Sequence, residues 1–183
     1  QSSYEQYRKG GKLEKVLQGT SNIVKWKKKL KSSTPAVIWQ FLVVKPNEHQ
    51  ITAAELLAKE YKVDRIAFKT AQIYDYEDGN ALIPTIDKYS RYAPNGDGTY
   101  NIKNKLLDHC WKMWNSCVIT WDGKVVPCCF DKDAEHAVGS LNSTSFVDVW
   151  HSTAYRKFRT SVLKSRSEVE MCKNCTEGSK IWA

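Results

Sequence analysis

Six cysteines carry the most specific chemistry in the chain, and all of them follow residue 109: Cys110, Cys117, Cys128, Cys129, Cys172 and Cys175. Cys172-Lys173-Asn174-Cys175 is a C-x2-C knuckle. Such a loop brings two thiolates to one ion or one iron–sulfur cluster, because its backbone N–H groups turn inward toward the sulfur charge. Asp122-Gly123 between alternating apolar residues predicts a β-hairpin with a type I′ turn. Its second strand ends at Pro127-Cys128-Cys129, which returns Cys128 to the neighbourhood of Cys110 and Cys117. Four soft thiolates suit zinc and iron–sulfur equally well. Disulfides are the poorer expectation: no secretory segment is visible, the first 109 residues hold no cysteine, and adjacent Cys128 and Cys129 are awkward for disulfide geometry.

Other reactive side chains are scattered. His109 adjoins Cys110 and reads as packing around the cysteines rather than as a ligand. Asp122 and Asp131 read as turn residues, Glu5 and Arg8 as helix-surface charges, and His49 as a polar loop residue after a strand. No nucleophile–base pair has motif support. Gly10-Gly11 lacks the Lys-Ser/Thr of a phosphate-binding loop.

The elements that must position the cysteines follow from composition and periodicity. In 183 residues, 42% are hydrophobic and seven are Trp, so the chain has enough apolar material for a packed core. No apolar run is long enough to span a membrane, and a cytoplasmic protein is expected. Of the net charge of +8, most sits at the start: residues 1–33 hold nine Lys/Arg against two Asp/Glu. This reads as a solvated lysine face, and no nucleic-acid partner is expected.

Ser3 and Gln6 predict a capping box before a helix over 4–18, interrupted at Gly10-Gly11, and a second helix covers 21–31 with Ile23, Trp26 and Leu30 on one face. The nearly unbroken apolar run 36–44 predicts a strand covered on both faces. A helix over 52–61 and a second strand over 65–69 complete a βαβ unit with parallel strands. Two parallel strands are too few for a closed sheet. The chain is therefore expected to be the C-terminal part of a larger α/β sheet or barrel, or to complete its sheet with another copy. Residues 71–107 lack periodicity and read as a linker or bridge, with a turn at Asn95–Gly98. Gly139-Ser140-Leu141 predicts a further turn. Ser145 caps a helix whose apolar stripe continues through Tyr155, Phe158 and Val162.

Residues 110–131, with Cys110, twelve residues, Gly123, four residues and Cys128, then Pro127-Cys128-Cys129-x-Asp131, Val138-Gly139-Ser140-Leu141, Phe146–Ser152 and the late C-x2-C, resemble a SPASM domain. This is the auxiliary iron–sulfur domain at the C-terminus of many radical S-adenosylmethionine enzymes. Gly139-Ser140 stands where the family usually has Gly-Asn. The later C-x5-C-x3-C stretch of the full pattern has no counterpart, so the resemblance is to the shortened, one-cluster twitch form.

That resemblance implies an α/β partial barrel over 1–70, a bridge over 71–107, and a small cysteine-rich α+β SPASM/twitch-like domain with a hairpin and helix over 108–183. It implies that Cys110, Cys128, Cys172 and Cys175 hold a [4Fe–4S] auxiliary cluster, with Cys117 and Cys129 as substitute ligands; zinc is the alternative. Tyr4–Gly11 resembles the helix after the fourth barrel strand, 36–44 the fifth strand, and 65–69 the sixth. Asn47 and His49 then lie on the S-adenosylmethionine side of the parent barrel. The hallmark C-x3-C-x2-C motif is not in this sequence, so S-adenosylmethionine is expected in the full-length parent only, and this chain alone is expected to be inactive. The expected partners are the missing N-terminal half-barrel and a peptide, protein or sugar substrate, with self-association through residues 1–70. The other reading is a zinc-stapled structural or binding module with no redox role.

Overall fold

The structure is a computed structural model and describes residues 1–175 and 177. The end of the expected cysteine-rich domain, residues 176 and 178–183, lies outside the described residues. Two compact units make up the chain, Gln1–Lys103 and a second beginning at Asn104. No helix among the described residues is long and apolar enough to cross a membrane.

The first unit opens with α1 (Ser2–Tyr7) and α2 (Leu13–Lys29). The break falls at Gly10-Gly11 and α2 then runs straight through Gly19, so the two expected helices divide differently. Gly10 adopts a positive φ of 72°, which glycine takes without steric cost. A Cβ on Gly11 would stand 2.7 Å from the Tyr4 ring and 2.8 Å from the Arg8 carbonyl. The Ser3/Gln6 capping box does not form. Gln1 acts instead: its Oε1 accepts from the Leu13 N–H at 2.9 Å, and its Nε2 donates to the Gly11 carbonyl at 2.9 Å. One of the unsatisfied donors at the start of α2 is met this way.

Strands β1 (Ile38–Val43) and β2 (Arg65–Thr70) pair in parallel, from Ile38 opposite Arg65 to Val43 opposite Thr70. A 3-10 turn (Lys45–Gln50) and α3 (Ile51–Glu60) link them, giving the expected βαβ unit. Phe41 and Phe68 meet across the pair at 5.7 Å. Lys27 of α2 binds Asp64 at 2.7 Å, and the same carboxylate accepts the Val37 N–H. Full cover comes only at the C-terminal end of the apolar run, at Val43 and Val44; Ile38 is 42% exposed. Within this unit the strand is therefore not enclosed on both faces as its composition predicts.

Residues 71–103 are not a linker: they build the core of the first unit. Val44, Ala71, Ile73, Ile83 and Tyr92 are buried together. The Tyr92 hydroxyl accepts from the Ile73 N–H at 2.7 Å and donates to the Ile73 carbonyl at 3.0 Å, while its ring stacks on Tyr76 at 4.4 Å. Strands β3 (Tyr92–Pro94) and β4 (Tyr100–Ile102) close this segment as an antiparallel pair. Glu48 fastens it to the 3-10 turn by accepting from the Thr85 N–H at 2.7 Å and the Thr85 hydroxyl at 2.5 Å.

The second unit uses shorter elements: α4 (Lys112–Asn115), β5 (Val118–Ile119), β6 (Lys124–Val126), β7 (Gly139–Ser140), α5 (Phe146–Trp150), α6 (Thr153–Lys164), a 3-10 turn (Arg166–Glu168) and α7 (Glu170–Lys173). The three strands form one antiparallel sheet in the order β5-β6-β7. The β5–β6 hairpin is as expected, but its turn is not type I′. Of the turn residues only Gly123 has positive φ, and its N–H donates to the Thr120 carbonyl. A longer turn with glycine in the left-handed position results, because Trp121 and Asp122 keep ordinary dihedrals. Gly139-Ser140, expected as a turn, pairs with β6. Ser145 and Ser152 each cap a helix, accepting from the N–H three residues on.

Helix α6 joins two cores. Tyr155 packs with Val125, Val138 and Val149. Seven residues on, Val162 packs with Cys110, Met113, Val169 and Cys172. Between them Arg159 covers the Tyr155 ring at 3.8 Å and donates to the Met113 carbonyl at 2.8 Å, fixing α4 against α6. The chain is thus mixed α/β, a parallel two-stranded unit followed by a small antiparallel sheet.

Candidate metal centre

Three segments of the second unit present the cysteines. Cys110 stands just before α4, where its carbonyl accepts the Met113 N–H. Cys128 follows β6 in a tight turn: its carbonyl accepts the Asp131 N–H. Asp131, buried, holds this turn by accepting from the N–H groups of Glu135 and His136 at 2.9 and 3.0 Å. Cys172 lies in α7, and the Cys175 N–H turns back onto its carbonyl at 3.0 Å. The Glu177 N–H then donates to the Cys175 sulfur at 3.3 Å. A backbone N–H aimed at sulfur is the geometry that stabilises metal-bound thiolate.

Cys110, Cys172 and Cys175 are buried and Cys128 half-buried, and all six cysteines are free of disulfides. Cys110 and Cys172 share one buried core, and Cys128 packs against it; as thiolates Cys128 would repel Cys129 and Cys175, and Cys172 would repel Cys175 and Cys110. Burial pushes the Cys128 thiol up to about 12 and the Cys172 thiol up to about 11. Thiolates in such a place need a cation or cluster to hold them charged. Soft thiolate donors on three segments fit an iron–sulfur cluster, which takes its thiolates on separate irons.

The other two cysteines are placed differently. Cys117 packs against the core of Val125, Val138, Val149 and Tyr155, and burial pushes its thiol up. Cys129 is exposed. His109 contributes its backbone rather than its ring: its carbonyl accepts from Arg166 at 3.1 Å.

Arg166 is the residue that sequence reasoning missed. It is 2% exposed. Its guanidinium donates to the carbonyls of His109 at 3.1 Å and Glu177 at 2.6 Å, and it favours the Cys172 thiolate by charge and hydrogen bonding. Its backbone N–H donates to Asp108 at 2.8 Å. Ser165 and Ser167 on either side give it the look of a polar helix end.

In the first unit, Asn47 is buried and its amide is engaged with backbone: Oδ1 accepts from Val44 N–H at 2.9 Å and Nδ2 donates to the Leu42 carbonyl at 3.0 Å. His49 is exposed on the same 3-10 turn.

Residues 110–176 match the family model described as SPASM, an iron-sulfur cluster-binding domain, and this part of the chain is a SPASM domain. Among solved structures, the chain is similar to the crystal structure of selenomethionine BtrN in an open conformation, at 18% identity and a TM-score of 0.35. That match covers 76% of this chain and 56% of the other, so the chain spans little more than half the length of that structure. The search of curated proteins finds no match.

Proposed function

We propose that the chain is the C-terminal part of a radical S-adenosylmethionine oxidoreductase or maturase, and that its second unit is a one-cluster, twitch-type SPASM domain. In this reading Cys110, Cys128, Cys172 and Cys175 hold a [4Fe–4S] auxiliary cluster. The observation that carries it is the meeting of Cys110 and Cys172 in one buried core, with Cys128 packed against it and Cys175 turned back onto Cys172, inside a domain whose family binds iron–sulfur clusters. When bound, such a cluster supplies one-electron transfer to or from a substrate radical, or a point on which substrate is positioned. The chain's own residues do the rest. Met113, Val162 and Val169 exclude water around Cys110 and Cys172, while Glu177 directs its N–H at the Cys175 sulfur.

The first unit then supplies the fifth and sixth strands of a partial barrel, with Asn47 and His49 on its S-adenosylmethionine side. S-adenosylmethionine belongs to the full-length parent, because no cysteine precedes Cys110 and the three-cysteine motif cannot be built from these residues. Ile38 on β1, Ile23 and Trp26 on α2, and Leu30 just after it are exposed, which supports the missing half-barrel as partner and, without it, a second copy through residues 1–70. The substrate class is a peptide, protein or sugar in the cytoplasm.

Anaerobic reconstitution with iron and sulfide tests the cluster. A brown protein with broad visible absorbance and matched iron and acid-labile sulfide is expected. A colourless protein that holds only zinc would overturn the redox reading.

A further inference from the structure

A buried guanidinium needs an anion, since an unpaired charge in a dry interior is costly. Arg166 has no carboxylate to serve: among the described residues it makes no ion pair with Asp or Glu. The neighbouring carboxylates are engaged elsewhere. Asp108 accepts the backbone N–H of Arg166, and Glu177 pairs with Lys112 at 3.7 Å. The guanidinium donates to two neutral carbonyls, those of His109 and Glu177, its Nε has no hydrogen-bond partner among the described residues, and the one anionic acceptor it faces is the Cys172 sulfur. The negative charge in its surroundings comes from sulfur. His109 precedes Cys110, Glu177 follows Cys175 by two residues, and Cys172 lies beside the guanidinium.

Resting on the cluster reading above, we propose that Arg166 is the fixed counter-charge of the cysteine centre, a positioning residue that clamps the segments bearing Cys110, Cys172 and Cys175 and raises the reduction potential of the cluster they hold. The direction follows from charge. Reduction adds one electron to an already anionic thiolate–iron assembly, and a buried cation favours the more negative state.

The test compares wild type, Arg166→Lys and Arg166→Met, each reconstituted anaerobically as the full chain. Iron and sulfide content is measured first and the potential by redox titration followed by electron paramagnetic resonance. Arg166→Met should be at least tenfold harder to reduce, about 59 mV more negative for one electron, and Arg166→Lys should recover most of the shift. Should Arg166→Met lose the cluster while Arg166→Lys keeps it, the charge is again the operative feature. Equal potentials in all three loaded proteins, or equal cluster loss in both variants, would overturn the proposal. A wild type that takes up no iron and sulfide would instead defeat the cluster reading itself, and this proposal with it.

Discussion

The two units are held together by opposite means. In the first, long regular elements dominate, yet α2 buries only Thr20 along seventeen residues and leaves Val16, Ile23 and Trp26 open. Its buried cluster gathers at the end of β1 and in the irregular 71–103 segment. In the second, few elements are longer than one turn, but two buried clusters flank α6, and three thiols and an arginine are drawn inside. Regularity here does not mark the better-packed region. Regular secondary structure satisfies its own backbone and can wait for a partner surface. Short elements cannot, and depend on side-chain contacts and, in our reading, on a metal centre.

Metal removal should separate the units most sharply. Four-thiolate sites can contribute on the order of 10 kcal/mol. Stripping the cluster, or Cys172→Ser, should abolish protection against hydrogen exchange across the second unit and leave β1 and β2 unchanged. Uniform loss in both units would contradict their independence. The next effect is on assembly. The open apolar face of the first unit should give a concentration-dependent dimer in sedimentation, weakened by Trp26→Glu and untouched by Cys129→Ser. A strict monomer at all concentrations would remove self-association from the account.

Tyr92→Phe should cost about 1–3 kcal/mol by removing both hydrogen bonds to Ile73, measured as a lower denaturation midpoint of the first unit alone. Cys117→Ala should cost only ~1 kcal/mol as a small buried residue and leave iron content intact, whereas Cys110→Ala should lose it. The smallest effect is acidic. Burial pushes the Glu48 carboxyl up, but the hydrogen bonds from Thr85 and Ile86 and the charge of Lys45 outweigh it and hold it below its ordinary value. Its contribution is therefore complete above the ordinary carboxylate range and is lost as pH falls through the depressed folded value. Glu48→Gln should flatten this part of the acid limb of stability in the first unit. An unchanged acid limb would assign that loss to other carboxylates.

How much of this was legible in the sequence depended on range. The βαβ unit was, because the apolar run before Lys45-Pro46 and the helical spacing after it are local signals. Asp122-Gly123 located the hairpin, but not its turn type, which depends on Gly123 alone taking the left-handed conformation. Residues 71–103 looked structureless because Ile73, Ile83 and Tyr92 enter the core singly from irregular backbone, without a period to detect. Gly139-Ser140 read as a turn because a two-residue strand has no alternation. At the site, the cysteine spacings were legible, whereas Arg166 was not. Its partners are backbone carbonyls at His109 and Glu177, and no residue-type pattern announces a backbone acceptor 57 positions away.

The most direct measurement of the central claim is a cysteine scan of the reconstituted protein, with iron, sulfide and the electron paramagnetic resonance signal determined for each single alanine variant. The account predicts that Cys110, Cys128, Cys172 and Cys175 each lose or alter the cluster, while Cys117 and Cys129 retain it with an unchanged signal. A cluster that survives loss of Cys110 or Cys172, or that requires Cys117 or Cys129 instead, would contradict it.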